Sequence, residues 1–242
     1  MKTFGLLGKN ISYSFSKTYF TEKFKKEKIE AEYHNFDLIN LKEFRDVIKE
    51  TPNLQGLNVT IPYKQEIISY LDDLAPEAKE IGAVNTIKVN GNRLIGYNTD
   101  YIGFLESLKP FLKPHHKKAL ILGTGGASKA VAYSLQKLDI VYKFVSRTAG
   151  ENKWSYEDLS EEIINDHSII INTTPLGTFP DTEKYPDIPY KYLNEEHLVY
   201  DLIYNPNITK LMAMAKKQGA TVTNGLKMLE LQAESAWKIW NK

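Results

Sequence analysis

The chain alternates short apolar runs with longer stretches of helical periodicity. Before residue 100 the apolar runs are TFGLLG (3–8), AEYHNFDL (31–38), LQGLNVT (54–60), AVNTIKV (83–89) and NRLIGY (92–97). Each has the length and residue types of a strand, and Asn90-Gly91 between the last two is a tight-hairpin dipeptide. Residues 16–28 and 41–49 carry apolar positions at helical spacing. A helical stretch runs from 100 to 112 and ends in the polar loop KPHHKK. From Ala119 the pattern restarts. ALILG (119–123), VYKFVS (141–146), SIIINT (168–173), HLVYDLIY (197–204) and ATVTN (220–224) read as strands, and GGASKAVAYSLQKL (125–138) as a helix. The Pro-rich TFPDTEKYPDIPYKY (178–192) reads as a surface loop, and 225–241 as a closing amphipathic helix. Helix-bearing connections between strands favour mainly parallel sheets. The expected architecture is α/β, with two α/β domains that change over near residue 100.

Composition narrows the function classes. At 242 residues and 42% hydrophobic, the chain has room for two modest cores. A net charge of +1 supplies no field for nucleic acid or an anionic membrane, so neither is expected as a partner. No apolar run approaches the roughly 20 residues that span a bilayer, and MKTFGLLGKN turns polar too early for a leader. A cytoplasmic location is expected. Without cysteine there is no disulfide or thiol nucleophile. His34, His115, His116, His167 and His197 show no metal-ligand spacing, and no metal is expected.

ALILGTGGASKAV has the order strand, glycine turn, helix. Gly123 suits the tight turn and Gly125 the close approach of a pyrophosphate. The first helical amides near Gly126 and Ala127 would then face phosphate. NAD-binding domains place Asp or Glu at the end of the second strand. Here that place is held by Ser146, Arg147 and Thr148. An arginine pairs with a 2′-phosphate that a carboxylate would repel, so NADP is the expected cofactor. An ordinary surface arginine is the alternative. Asn172, Thr173 and Thr174 end another strand, where they can line the nicotinamide ribose or simply make a turn.

In ISYSFSK, an extended backbone puts Ser12, Ser14 and Ser16 on one face and Ile11, Tyr13 and Phe15 on the other. Paired hydroxyls can donate to a carboxylate, while Ser16 also fits as a helix N-cap. GLNVT, GAVNT and GYNTD are three strand ends finishing in Asn, Thr or Asp, which suggests a polar rim. Reduction of a ketone by a nicotinamide needs a proton donor within hydrogen-bond reach of the oxygen. Lys64 after NVTIPY and Asp100 ending YNTD are the natural pair, and they fit a structural salt bridge equally well.

Taken together, these motifs resemble the shikimate dehydrogenase (shikimate/quinate dehydrogenase) family over nearly the whole chain. The resemblance is carried by GLNVTIPYK, IGAVNT, GYNTDYIGF, GTGGASKAV, SRT, NTTPLGT, DLIYNPNITKLMAMAKKQGA and NGLKMLELQAESAWKIW. It implies reversible NADPH-dependent reduction of 3-dehydroshikimate to shikimate, with Lys64 and Asp100 as the catalytic pair. It implies that Ser14 and Ser16 hold the substrate carboxylate, with Thr60, Asn85, Asp100, Tyr204 and Gln232 completing the substrate shell. Gly123, Thr124, Gly125, Gly126 and Ala127 would hold the pyrophosphate, and Arg147 and Thr148 the 2′-phosphate. Leu202 and Gly225 would lie against the nicotinamide. It also implies a discontinuous substrate domain, 1–100 plus 225–242, and a Rossmann-type domain, 101–224, with a cleft between them. The protein is expected to be a monomer or a homodimer.

Several positions depart from the family pattern. Asn10, Tyr13 and Lys17 stand where the serine motif usually has Pro, His and Pro. SRT replaces N-R-T, and AGEN follows without the second basic residue often found there. Weaker NADP preference is the expected consequence. The rivals are an NAD-using quinate/shikimate dehydrogenase, a non-catalytic NADPH sensor and, more remotely, a methylenetetrahydrofolate dehydrogenase.

Overall fold

The computed structural model describes residues 1–12 and 14–242; Tyr13, assigned above to the face opposite the serines, lies outside the described residues. The chain divides into two compact units, Met1–Thr99 with Ala233–Lys242, and Asp100–Gln232.

The first unit runs β1 (Lys2–Gly8), α1 (Phe15–Glu27), β2 (Ala31–Asp37), α2 (Phe44–Glu50), β3 (Leu54–Val59), β4 (Asp73–Leu74), α3 (Pro76–Ile81), β5 (Thr86–Asn90) and β6 (Arg93–Tyr97). The sheet order is β2-β1-β3-β5-β6-β4. β1 pairs in parallel with β2 and β3, and β4 with β6. β5 runs antiparallel to β3 and, through the expected hairpin turn where Gly91 has φ 59°, to β6. Both sheet faces are covered. Leu7, Leu57, Val59 and Ile87 enter one core, and Phe4 and Leu6 enter the other. Burial on both faces is why these strands read as continuous apolar runs.

The second unit runs α4 (Asp100–Leu108), β7 (Lys118–Leu122), α5 (Gly126–Lys137), β8 (Val141–Ser146), β9 (Lys153–Ser155), α6 (Glu161–Asp166), β10 (Ile169–Asn172), β11 (Leu198–Asp201), α7 (Lys210–Lys217), β12 (Thr221–Asn224) and the start of α8 (Leu226–Trp240). Its sheet is parallel throughout, in the doubly wound order β12-β11-β10-β7-β8-β9. Ala119, Ile121, Ile169 and Ile171 face one core; Leu120, Leu122 and Ile170 face the other. The helix expected to reach 112 stops at Leu108. A 3₁₀ turn over Lys109–Phe111 follows, because Pro110 lacks the N–H that would continue it.

The segment 178–192 is not the surface loop expected. Ile188 and Tyr190 are buried in the second core, so this irregular segment covers a sheet face that a helix would otherwise cover. Strands β4 and β9 were not legible either, being too short to form a run. The contact boundaries also differ from the expected division at 100/101 and 224/225. The first turns of α8 pack on α4, where a Cβ at Gly103 would stand 2.5 Å from the Met228 carbonyl oxygen. The rest of α8 packs in the first unit. Trp240 donates its indole N–H to Ile87 O at 3.0 Å and lies over Gly56, where a Cβ would stand 2.2 Å away. Among the described residues no helix is long and apolar enough to cross a membrane.

Candidate active site and cofactor pocket

In the first unit the candidate side chains sit just past the carboxyl ends of parallel strands, the usual ligand side of such sheets. Gly8 ends β1 beside Thr60; a Cβ there would meet the Thr60 methyl at 2.5 Å. The following loop is shaped by Asn10, whose φ of 57° lies in the left-handed region. Its N–H donates to Asp37 Oδ1 at 2.8 Å, and Ile11 N–H to Oδ2 at 3.2 Å. Proline could adopt neither that φ nor the hydrogen bond, so this loop differs locally from one built on the usual motif. Ser14, rather than Ser16, caps α1. Its Oγ accepts from Lys17 N at 3.1 Å, which leaves its own proton for another acceptor. Ser16 lies near the buried phenol of Tyr33, whose pKa burial pushes well up. Tyr33 in turn donates to Asn58 Oδ1 at 2.7 Å.

The three strand ends converge as expected, but most of their polar groups serve one another. Asn85 Oδ1 accepts from Thr99 N at 2.6 Å, and its Nδ2 donates to Thr99 Oγ1 at 3.0 Å. Asn58 Nδ2 donates to Thr86 Oγ1 at 3.3 Å, and Asn98 Nδ2 to Ala83 O at 2.9 Å. Lys64 is half-buried in the turn after β3, and the turn is pinned by its main chain: Val84 N donates to Lys64 O at 2.7 Å. The ammonium group is therefore not needed to hold the turn.

Asp100 opens α4 in the second unit and is buried. One turn on, Gly103 lets Gln232 approach; a Cβ at 103 would stand 3.1 Å from Gln232 Cβ. Asp100 and Gln232 are thus brought near each other by the α4–α8 packing. Tyr204 lies past β11, partly exposed, with its phenol pKa raised by burial.

A pocket of about 390 Å³ is lined by Gly123, Thr124, Gly125, Ser146, Arg147, Tyr156, Thr173, Thr174, Pro175 and Leu176. Gly123 has φ 102°, and a Cβ there would press on Thr173 Oγ1 at 2.9 Å, so both backbone and space require glycine. Gly125 is different. Its φ is −77° and a Cβ would meet nothing within 4 Å. Packing does not demand glycine there, and the open space leaves the α5 amides approachable. No side chain caps α5 either. An uncapped helix N-terminus beside empty space suits a phosphate. Arg147, exposed and without an ion pair among the described residues, suits a second one.

Not every expected cofactor residue joins this pocket. Ser146 lines it, but donates to Thr148 O at 2.7 Å, which spends its proton inside the turn. Thr148 is exposed, and Leu202 and Gly225 meet each other elsewhere. A Cβ at Gly225 would stand 2.0 Å from Leu202 O. Behind them lies a buried network. Asp201 accepts from Asn172 Nδ2 at 2.9 Å, from Ile203 N at 3.1 Å and from Thr209 Oγ1 at 2.6 Å. Burial outweighs these donors and pushes the Asp201 pKa up to about 6. Tyr156 was missed by sequence reasoning. The only available signal was its place just after KWS, a strand too short to recognise.

Residues 6–87 match the family model of the shikimate dehydrogenase substrate binding domain. A shikimate dehydrogenase (NADP(+)) of Clostridium botulinum is 40% identical, with 99% of this chain and 96% of that one aligned. The solved shikimate 5-dehydrogenase of Thermus thermophilus, in complex with NADP(H) and shikimate, is 32% identical with a TM-score of 0.88, covering 99% of this chain and 93% of that one. The Listeria monocytogenes shikimate 5-dehydrogenase, in complex with shikimate and NAD, is 30% identical with a TM-score of 0.86, covering 100% and 92%. With such likeness along its whole length, the chain belongs to the shikimate dehydrogenase family.

Proposed function

We propose that the protein is an NADP-dependent oxidoreductase acting on a CH–OH group, reducing 3-dehydroshikimate to shikimate reversibly. The observation that carries this reading is its 40% identity, over 99% of the chain, to a shikimate dehydrogenase (NADP(+)). The first unit holds the substrate, in keeping with the family model matched there. The second unit holds the cofactor, in keeping with its glycine turn and Arg147.

Bound NADPH supplies the hydride that reaches the ring ketone carbon. Lys64 gives a proton from Nζ to the oxygen as negative charge develops there, so the ketone ends as an alcohol. Asp100 orients Lys64 and accepts a hydrogen bond from a neighbouring substrate hydroxyl. Ser14 and Ser16 hold the carboxylate. Thr60, Asn85, Tyr204 and Gln232 complete the shell. The α5 amides from Gly126 and Ala127, with Gly123, Thr124 and Gly125, take the pyrophosphate. Arg147 takes the 2′-phosphate, Thr173 lies by the nicotinamide ribose, and Leu202 and Gly225 lie against the nicotinamide.

The test is an absorbance assay with shikimate and NADP⁺, then NAD⁺, then quinate in place of shikimate. Turnover of shikimate with NADP⁺ is expected. NADPH binding without any oxidation by 3-dehydroshikimate would leave only a sensor. Two observations favour a second reading, in which NAD is also used. Among the described residues Arg147 is the single cation lining the pocket, and the Listeria relative was solved with shikimate and NAD.

A further inference from the structure

The cofactor pocket carries more donors than the family motifs account for, but most are already committed. Thr173 Oγ1 donates to Leu122 O at 2.7 Å, and Thr174 Oγ1 to Asn172 Oδ1 at 2.7 Å. Ser146 donates to Thr148 O at 2.7 Å. Of the remaining lining hydroxyls, Thr124 stands between Gly123 and Gly125, at the pyrophosphate end. That leaves Tyr156, whose phenol has no hydrogen-bond acceptor among the described residues.

The sheet puts Tyr156 beside Arg147. Strands β8 and β9 run parallel with Ser146 opposite Ser155, so Arg147 and Tyr156 are the first residues past the ends of neighbouring strands. Such strands lie about 4.8 Å apart. The preceding pair, Val145 and Trp154, packs on one sheet face with Tyr156, and Arg147 and Tyr156 line the same pocket. Only residues 147–152 join the two strands, without a helix. The turn after Tyr156 is fixed by Asp158, whose Oδ2 accepts from Ser155 N at 2.7 Å and Ser155 Oγ at 2.8 Å. The ring packs against the second core, and burial raises the phenol pKa, which keeps it a donor at ordinary pH.

We propose that Tyr156 is a specificity-determining residue of the cofactor pocket, its phenol donating to the 2′-phosphate beside Arg147 in place of a second cation. The proposal rests on the NADP reading above. It makes recognition of the 2′-phosphate depend on one charge and one neutral donor.

Calorimetric titration of the full chain with NADP⁺ and with NAD⁺ tests it, using wild type, Tyr156→Phe and Arg147→Ala. Phenylalanine keeps the ring and its packing, and thermal melting checks the fold. Tyr156→Phe is expected to weaken NADP⁺ roughly ten-fold and to leave NAD⁺ unchanged, since a donor to a charged acceptor is lost. Adenosine 2′,5′-bisphosphate should weaken likewise, and adenosine 5′-monophosphate should not. Equal weakening of both dinucleotides, or of neither, overturns the proposal. A preference for NADP⁺ that is undiminished in Tyr156→Phe but lost in Arg147→Ala overturns it alone. A wild type without that preference overturns the NADP reading and the proposal with it.

Discussion

Both units tie together the loops beyond their strands with a buried polar network, but the chemistry differs. In the first unit Asn58, Asn85, Thr86 and Thr99 bond one another, and every member is neutral. In the second, Asn172 and Thr209 converge on the carboxyl of Asp201. The groups proposed to face ligands differ as well. The first unit presents side chains on turns, such as Lys64 and Ser14. The second presents backbone, bared by Gly123 and Gly125. A side-chain site is broken by deleting one group, whereas a backbone site is broken by adding a methyl.

The largest effect should come from deletion in the first unit. Lys64→Ala is expected to lower kcat by about 10²- to 10⁴-fold with KM for shikimate nearly unchanged. The turn should survive, since the main-chain bond from Val84 N to Lys64 O holds it. Steady-state kinetics decides the matter. A raised KM at unchanged kcat would make Lys64 a binding group only and remove the chemistry from this side of the comparison.

The anionic network should show itself against pH. The Asp201 carboxyl is raised to about 6 from 3.8. It is protonated in the fold where it is ionised in the unfolded chain. Its contribution to stability is therefore full below about pH 4 and lost as pH rises through about 6. The amount is roughly 3 kcal/mol, from about two pH units at 1.36 kcal/mol each. Burial lowers the pKa of His116 and His167, and these act in the opposite sense. Their contribution is present above about pH 6.5 and is lost on acidification. Asp201→Asn removes one side of this opposition. Its stability in urea should climb more steeply from about pH 4 to 6 than that of wild type. Parallel curves would mean that Asp201 does not titrate in this range and that the two networks are electrostatically alike.

How far the sequence could be read follows the same division. Strands buried on both faces announced themselves as apolar runs, and the glycine turn and NVTIPYK stood out because their chemistry is local. What stayed hidden depends on partners distant in sequence. Ile188 and Tyr190 lie in a Pro-rich stretch with no period, and only the bare sheet face beneath explains their burial. Tyr156 reaches the pocket because β9 pairs with β8, and three residues cannot advertise a strand. Ser14 takes the cap that suited Ser16 because the helix begins two residues earlier than a Ser16 cap would place it.

A pair of glycine substitutions separates fold from ligand in the second unit. Gly225→Ala must displace Leu202 O, 2.0 Å from the new Cβ. A loss of roughly 1–3 kcal/mol in chemical denaturation is expected, as for other overpacking. Gly125→Ala has free space and an ordinary φ, so it should cost less than about 1 kcal/mol, the scale of an N-cap change. It should nevertheless weaken NADP⁺ roughly ten-fold or more, because the methyl occupies the space kept for phosphate. Unchanged NADP⁺ affinity in Gly125→Ala would show that the backbone there is not what the cofactor touches.

The smallest effect concerns Ser14, which has two separable tasks. Its Oγ accepts from Lys17 N as the cap of α1, while its proton stays available to a substrate carboxylate. Ser14→Ala removes both, and should cost about 1 kcal/mol of stability and raise KM for shikimate. Ser14→Gly also removes the hydroxyl, but glycine is tolerated at an N-cap at a cost of only a few tenths of a kcal/mol. If the proton serves the substrate, the two variants should share the same raised KM while differing in stability. If KM follows stability instead, and the glycine variant behaves as wild type, Ser14 belongs to the scaffold with Asn85 and Thr99 rather than to the deletable chemistry of the first unit.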